Sequence, residues 1–379
     1  MPLTLRRSIR LGLTSVAAFI ALLAIVGFTY EQLGRNRDAQ HRFRVGRAVD
    51  VGGRTLNIDC SGEGSPAVII IPGAGSRFGG YGGYNWRKVQ PEIAKLTRLC
   101  WYDRAGEGWS DPPPAPPTSA SITHDLHELL QRAPVPGPYI LVGHSIGGDF
   151  ARIYAGRFPA EVAGLVLVDS ANPDQNEPPI MLAPINRMPT FVRQLLCWGS
   201  PIASRFGLLR FSTHNEHVDV PPQFASDAAV TQALRDRLVK STETENAQAC
   251  AATHNGSIKP HGGSGNPEID DAARRVTNLG NIPIIVLTAL QYWKPDDDPV
   301  TAQQTDQFHE TWVHQLQPAL AHLSSQGRQI MVPNSDHGIP DQAPEAVIDA
   351  IRSIVDQTRR TAPSASAGRS GRAVQPSDR

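Results

Sequence analysis

A short glycine-rich turn decides the fold, and it reads Gly143-His144-Ser145-Ile146-Gly147-Gly148. An apolar strand is predicted just before it, at residues 138–142, and an amphipathic helix just after it. A serine on so sharp a turn needs a positive φ, and the residues two places away must be nearly without side chains for strand and helix to approach. Glycines stand at both places, so the pattern G-x-S-x-G indicates a serine nucleophile. A phosphate-binding loop would need a lysine or G-x-G-x-x-G spacing, which this turn does not have.

Outward from this turn, short apolar runs alternate with longer amphipathic stretches, which predicts βαβ units and a mainly parallel sheet. The predicted strands lie at residues 54–58, 67–71, 98–102, 138–142, 163–168, 283–288 and 328–332. The pattern at 341–356 predicts a closing helix packed on the sheet. Residues 172–281 break the alternation and contain helical stretches at 189–197 and 223–252. We interpret them as a helical lid inserted between two core strands.

From about Arg54 to Val355 the chain resembles the α/β-hydrolase superfamily. The matching motifs are the turn around Ser145, Asp103-Arg104-Ala105-Gly106-Glu107-Gly108-Trp109-Ser110 after the third predicted strand, Pro72-Gly73-Ala74-Gly75 at the oxyanion loop, and Asn334-Ser335-Asp336-His337-Gly338 at the C-terminal turn. Pro72 replaces the histidine that is common in the oxyanion loop. The resemblance implies an α/β fold, with a mainly parallel eight-stranded sheet flanked by helices and a helical lid insertion, over residues 47–358.

The residue types at these places suit acyl transfer. A serine hydroxyl needs a positioned base, and the oxyanion that forms needs fixed donors. Ser145 is the predicted nucleophile, and His337 is the predicted base because it follows the final strand and precedes the closing helix. The backbone N–H groups of Ile146 and Ala74 are the predicted oxyanion donors. We interpret His144 as a packing or hydrogen-bonding residue at the turn, and we expect neither a metal nor a cofactor.

Two places in the superfamily's fold can supply the acid that orients His337. One follows strand 163–168, where Asp169 stands at the strand end, and some members of the superfamily place their acid there. The commoner place follows strand 283–288, where the first acids are Asp296, Asp297 and Asp298. The order of nucleophile, acid and base along the chain fits both. Asp169 is the preferred candidate, and the later cluster is the alternative.

A serine nucleophile argues against the relatives that use aspartate there, which are dehalogenases and epoxide hydrolases. We therefore predict a serine hydrolase of carboxylesterase type that cleaves an ester, thioester or lactone through an acyl-enzyme. The alternatives are an acyltransferase or cofactor-free lyase on the same residues, or a catalytically silent binding module. Apolar lid residues indicate a small-molecule ester with an apolar or aromatic acyl group, or else form the lid's own core. They are Trp198, Phe206, Leu208, Leu209 and Phe211.

The N-terminus predicts attachment to a membrane. Arginines in residues 1–10 precede an uncharged run at 11–30, which is long enough to cross a bilayer. A small-x-small cleavage site does not follow, so we predict an uncleaved single-pass anchor with residues 1–10 cytoplasmic and the catalytic domain extracytoplasmic. Residues 31–46 are the predicted linker, and residues 359–379 are a predicted disordered tail. Lys+Arg and Asp+Glu balance at 36 each, which argues against a nucleic-acid partner.

The four cysteines fit an exported domain. Their spacing contains no C-x-x-C and argues against a zinc site, while an even count is consistent with two disulfides, four free thiols being the alternative. In the superfamily's strand order the second strand lies beside the fourth, so the resemblance implies a Cys60–Cys100 bridge. Cys197 and Cys250 both fall in the insertion and form the second predicted pair.

Overall fold

The computed structural model describes residues 3–40, 44–73, 86–175, 189–214, 228–254, 266–292 and 299–361. Two predicted site elements lie outside them, namely Ala74 and the cluster Asp296, Asp297 and Asp298. Most of the predicted C-terminal tail, from residue 362 onward, also lies outside.

A sheet of eight strands forms the centre of the molecule, and its order is β1-β2-β4-β3-β5-β6-β7-β8. The strands are β1 (Arg47–Asp50), β2 (Thr55–Ser61), β3 (Ala67–Ile71), β4 (Leu99–Tyr102), β5 (Tyr139–His144), β6 (Val162–Val168), β7 (Ile284–Ala289) and β8 (Gly327–Val332). The β1–β2 and β2–β4 pairs are antiparallel, and every other pair is parallel. The predicted α/β class, with a mainly parallel eight-stranded sheet, is therefore confirmed.

Helices cover both faces of this sheet. They are α1 (Leu3–Gln40), α2 (Gln90–Ala94), α3 (Ser119–Arg132), α4 (Ile146–Arg157), α5 (Thr190–Arg205), α6 (Leu208–Thr213), α7 (Ala228–His254), α8 (Pro267–Arg275), α9 (Pro299–Thr311), α10 (Gln317–Ala321), α11 (Ile339–Gln342) and α12 (Pro344–Thr361). Along β3, Ile69 and Ile71 pack into the core that contains α3 and α4, while Val68 and Ile70 pack into the core that contains α2 and α12. Because both faces of the inner strands, such as β3 and β7, are buried, these strands read as continuous apolar runs.

Helix α1 is longer than the predicted anchor. Its segment Leu11–Asp38 is long and apolar enough to span a membrane, and its most apolar stretch of 18 residues, with a mean hydropathy of 2.4, is not buried in the protein. The helix continues to Gln40, so residues 31–40 of the predicted linker 31–46 are helical. Within this part of α1, Glu31 forms an ion pair with Arg210 on α6 at 3.0 Å, and Arg35 forms one with Glu243 on α7 at 3.0 Å. These ion pairs hold this part of the helix against the insertion.

The two predicted cysteine pairs lie at disulfide distance. Cys60 and Cys100 are directly opposite each other on the antiparallel strands β2 and β4, with their Cα atoms 4.1 Å apart. Cys197 on α5 and Cys250 on α7 have Cα atoms 5.3 Å apart. The second pair joins the two longest helices described in the insertion between β6 and β7.

Candidate active site

Ser145 occupies a strained turn between β5 and α4. Its φ of 54° and ψ of −129° are rarely adopted by a residue with a side chain. The backbone N–H of Ser145 donates to the Val168 carbonyl at 3.2 Å, and the Ser145 carbonyl accepts from the N–H groups of Gly148 and Ala171, each at 2.9 Å. Hydrogen bonds to the neighbouring strand and to the chain just beyond it therefore hold the turn.

Three glycines allow this turn to pack closely. A Cβ atom on Gly143 would lie 2.6 Å from the Gly147 carbonyl oxygen, and one on Gly147 would overlap the Ile71 carbonyl. A Cβ on Gly148 would overlap the side chain of Ser170. Gly143 and Gly147 thus have the close packing that the G-x-S-x-G pattern implies, and Gly148 adds a third close approach, to Ser170.

Asp169 follows β6 directly and is held in one orientation. Its φ is 39°, and its backbone N–H donates to the Leu287 carbonyl at 2.7 Å. Its Oδ1 accepts two hydrogen bonds, from Trp312 Nε1 at 3.0 Å and from the Ala289 N–H at 3.1 Å. Its Oδ2 lies 2.7 Å from Nδ1 of His337. Both carboxylate oxygens therefore have partners inside the protein.

The protonation state of this pair follows from its surroundings. Burial alone would raise the pKa of Asp169, but the hydrogen bond and charge of His337, with the Trp312 and Ala289 donors, outweigh burial and lower that pKa below its usual value. Asp169 is therefore ionised at neutral pH, and His337 Nδ1 donates to it. Because Nδ1 carries this proton, the other ring nitrogen, Nε2, is the one that can accept a proton from a hydroxyl. The His337 side chain is 56% exposed, so a substrate can reach it.

The turn that carries His337 is fixed by hydrogen bonds to its neighbours. The carbonyl of Ser335 accepts from the N–H of Gln291, just beyond β7, at 3.0 Å. Oδ1 of Asp336 accepts from the Gly338 N–H at 2.8 Å. The side chain of Gln342 also donates to that Asp336 oxygen, at 2.7 Å, which ties the turn to α11.

His144 connects the His337 turn to the loop after β3. Its Nε2 lies 2.8 Å from the His337 carbonyl oxygen, and the two imidazole centroids are 4.7 Å apart. Burial, and then the charge of His337, lower the pKa of His144 to about 4, so its ring is neutral near pH 7. A carbonyl only accepts, so Nε2 carries the proton and Nδ1 does not. This Nδ1 faces Gly73, whose missing Cβ would lie 3.1 Å away.

The loop after β3 passes close to the nucleophile. A Cβ on Gly73 would lie 3.0 Å from the Ser145 Cβ. Ile146 is the first residue of α4, where a backbone N–H has no acceptor within the helix. The structure therefore brings Gly73, Ser145 and Ile146 together, while the second predicted oxyanion donor, Ala74, lies outside the described residues.

Arg104 holds this loop from behind. Its guanidinium donates to the Pro72 carbonyl and, at 2.7 Å, to the Gly73 carbonyl. The same group forms an ion pair with Glu107 at 2.8 Å and is 8% exposed. In the sequence, Arg104 was recognised only as part of the motif Asp103–Ser110. The structure shows that its side chain also supports the loop in which Pro72 replaces the superfamily's usual histidine.

Two positions in the site went unrecognised in the sequence. Arg104 belongs to a motif that the sequence showed, but its reach back to the loop after β3 depends on the sheet order. Trp312 gave no local signal, because it begins a short π-helical segment, Trp312–Leu316, directly after α9. Among the residues that the structure describes, no cluster of three or more His, Cys, Asp or Glu side chains could hold a metal ion.

Comparison with known proteins supports the fold. A family model described as alpha/beta hydrolase fold matches residues 66–202. An uncharacterized protein of Schizosaccharomyces pombe is 42% identical over 84 residues, which are 22% of this chain and 16% of that protein. The 2-hydroxymuconate semialdehyde hydrolase of Pseudomonas sp. is 34% identical over 132 residues, 35% of this chain and 46% of that enzyme. The chain thus spans less than half the length of either relative.

A solved structure of the epoxide hydrolase CorEH superimposes with a TM-score of 0.52 at 19% sequence identity. The match covers 82% of this chain and 98% of that one. At this identity the likeness shows the fold alone. The chemistry depends on the residues that this chain carries at the ends of its strands.

Proposed function

Since the chain belongs to the α/β-hydrolase superfamily, we propose that it is a serine hydrolase that cleaves a carboxylic ester, thioester or lactone. The observation that carries this proposal is the hydrogen bond of 2.7 Å between Asp169 Oδ2 and His337 Nδ1. This hydrogen-bonded pair lies at the same edge of the sheet as the strained turn of Ser145. An epoxide hydrolase of this superfamily would need a carboxylate in place of that serine.

The proposed reaction has two halves. In the first, the Ser145 hydroxyl passes its proton to His337 Nε2 and attacks the substrate carbonyl carbon. The negative oxygen that forms is held by the backbone N–H groups of Ile146 and Ala74, and ionised Asp169 stabilises the imidazolium. The tetrahedral intermediate then collapses, and His337 protonates the departing alkoxide, which leaves an acyl group on Ser145.

In the second half, a water molecule gives a proton to His337 and attacks the acyl carbonyl. A second tetrahedral intermediate forms at the same oxyanion site. Its collapse releases the carboxylic acid, and His337 returns the proton to the Ser145 oxygen. An acyltransferase would differ only at this point, because an acceptor alcohol or amine would take the place of water.

We propose further that α1 anchors the chain in a membrane, with the catalytic domain on the extracytoplasmic side. The apolar segment Leu11–Asp38 supports the anchor, and the two cysteine pairs at disulfide distance support an oxidising compartment. Protease protection in sealed membranes tests the side. Cleavage of the catalytic domain only from the extracytoplasmic face is expected, and cleavage from the cytoplasmic face would contradict this topology.

Labelling with a fluorophosphonate probe tests the enzymatic proposal. The wild-type chain should be labelled and should hydrolyse a panel of esters of graded acyl length. Ser145→Ala should lose the label and at least about 10⁴-fold in kcat, because a hydroxyl nucleophile has no substitute there. Ser353→Ala, on the surface of α12, is the matched control and should behave as the wild type.

Retention of both labelling and turnover by Ser145→Ala would contradict the proposal. Analysis of the products separates the alternatives. Free acid and alcohol indicate hydrolysis, and acyl transfer to an added alcohol in preference to water would indicate a transferase. Absence of labelling and turnover in the wild-type chain over the whole panel would favour a binding module.

A further inference from the structure

The predicted lid exposes an apolar surface that a soluble domain would bury. Six large side chains on α5 and α6 are more than half exposed, and we call them the outer lid patch: Phe191, Leu195, Trp198, Ile202, Leu208 and Phe211. Trp198 and Phe211 are the extremes, at 72% and 73% exposed. Such a patch marks an interaction surface, because scattered single apolar residues are normal on a protein but a contiguous group is not.

The patch follows the period of a helix. Phe191, Leu195, Trp198 and Ile202 are spaced by four, three and four residues, so they lie along one face of α5. On another face of the same helix, Cys197 and Ser204 are buried against the rest of the lid. Helix α5 therefore turns an apolar face outward, which is the arrangement of a helix that lies at a membrane surface.

The apolar helix α1 lies directly against this part of the lid. A Cβ on Gly27 would overlap the carbonyl of Phe206, which follows α5, and the rings of Phe28 and Phe206 are 6.5 Å apart. A Cβ on Gly207 would likewise lie 2.8 Å from the ring of Tyr30. At a rise of about 1.5 Å per residue, Gly27 lies roughly 5 Å inside the end of the uncharged run at Tyr30. Phe206 and Gly207 of the lid therefore lie level with this part of the uncharged run.

A buried ion cluster fixes the lid to α1 just beyond this contact. Arg210 on α6 donates to Glu31 at 3.0 Å and to Asp38 at 2.7 Å, both on α1, and to Asp236 on α7 at 3.2 Å. Glu31 is 1% exposed. Removing one member of a buried ion pair leaves an uncompensated charge, so such a cluster holds its helices in one arrangement. The level of the lid relative to the apolar span is therefore set.

From this continuity we propose that the outer lid patch inserts into the acyl-chain region of the same lipid bilayer that α1 spans. The inference rests on the proposed anchor and extends it, because it makes the lid a second membrane contact. Interfacial helices bury their apolar faces about 5 to 10 Å into the boundary of headgroups and acyl chains, which agrees with the depth of Gly27. The occupant of the patch is then lipid and not a second protein chain.

Tryptophan quenching in the full-length chain tests this contact. The protein is reconstituted into phosphatidylcholine vesicles without bromine, or with bromine both near the headgroup and near the middle of the acyl chains, so that shallow and deep positions are both reported. The emission of Trp198 is obtained as the wild-type spectrum minus that of Trp198→Phe. Two further probes are built on the Trp198→Phe background, with Phe19→Trp reporting on α1 and Ile330→Trp reporting on the exposed edge strand β8.

We expect brominated lipid to remove most of the Trp198 emission and most of the emission at position 19, and to leave that at position 330 unchanged. Quenching at position 19 without quenching of Trp198 would overturn the docking of the lid while leaving the anchor in place. Absence of quenching at both would overturn the anchor and the docking together. Equal quenching at 198 and 330 would also overturn the proposal, because it would show unspecific adsorption.

Discussion

Asp169→Asn should lower kcat about 10⁴-fold without unfolding the protein. The reason lies in the two donors that face Oδ1, Trp312 Nε1 at 3.0 Å and the Ala289 N–H at 3.1 Å. An asparagine must turn its carbonyl oxygen toward them. The opposite orientation would lose two hydrogen bonds and leave buried donors unpaired, at a cost of several kcal/mol, with about 1 to 3 kcal/mol for each unsatisfied group.

In the favoured orientation, the amide NH₂ of the substituted side chain takes the place of Asp169 Oδ2 and donates to His337 Nδ1. The imidazole then carries its proton on Nε2, and this tautomer cannot accept the proton of Ser145. A 10⁴-fold loss corresponds to about 5 kcal/mol of transition-state stabilisation at about 1.36 kcal/mol per factor of ten. KM should change little, because the side chain at this position is buried and acts on the substrate only through His337.

The assay is steady-state hydrolysis of a short chromogenic ester, with the fraction of folded protein measured by circular dichroism. Asp341→Asn, on α11 near the His337 turn, is the matched control and should keep wild-type kcat. The triple change of Asp296, Asp297 and Asp298 to asparagine should also stay active. A loss of about 10³-fold or more in the triple variant, with Asp169→Asn still active, would show that the later cluster supplies the acid.

Arg104→Met removes the hydrogen bonds that support the loop after β3, so kcat should fall by about 10- to 100-fold in a folded variant. An unchanged kcat would show that the loop keeps its position without Arg104. Burial, with the charge of Asp270 next, raises the pKa of Asp149 well above its usual value, and neither of its oxygens has a hydrogen-bond partner. The wild type should therefore lose about 1.4 kcal/mol of unfolding free energy per pH unit, as pH rises from the unfolded pKa near 4 toward the raised pKa. Urea titrations at several pH values should show a smaller dependence of the unfolding free energy on pH in Asp149→Asn than in the wild type. An equal dependence in both proteins would contradict the assignment to Asp149. Peptide mapping without reduction should recover Cys197 linked to Cys250, and replacing both by serine should cost about 4 kcal/mol of stability, whereas four free thiols would refute both predicted bridges.

The inner strands were predictable because burial on both faces makes them continuous apolar runs. Strand β1 was not located, since only Val49 of its four residues is buried and its pairing with β2 is set by the antiparallel edge. Ser145 and His337 could be singled out from local patterns, a sharp glycine turn and a polar turn before the last helix. Their catalytic roles remain predictions that the variants above test.

The sequence favoured Asp169 as the acid but left the later cluster open, because the acid's position depends on contacts between distant segments. Asp169 and Trp312 are 143 residues apart, and Glu31 and Arg210 are 179 apart. No local pattern reports such a pairing. The apolar lid residues show the same limit. The sequence left open that they form the lid's core, and the structure contradicts this for Trp198 and Phe211, which are exposed.

The position of the lid between β6 and β7 has a consequence for how the chain reaches its native state. These strands are parallel neighbours, yet more than a hundred residues separate them. At a synthesis rate of about 5 to 20 residues per second, β6 waits on the order of 5 to 20 seconds for its partner. During that time the apolar strand Val162–Val168 has an open edge, a form prone to wrong pairing. Cys197 and Cys250 are both made before β7, so their pair can form during that time. Asp169 can meet His337 only after the last strand has been added.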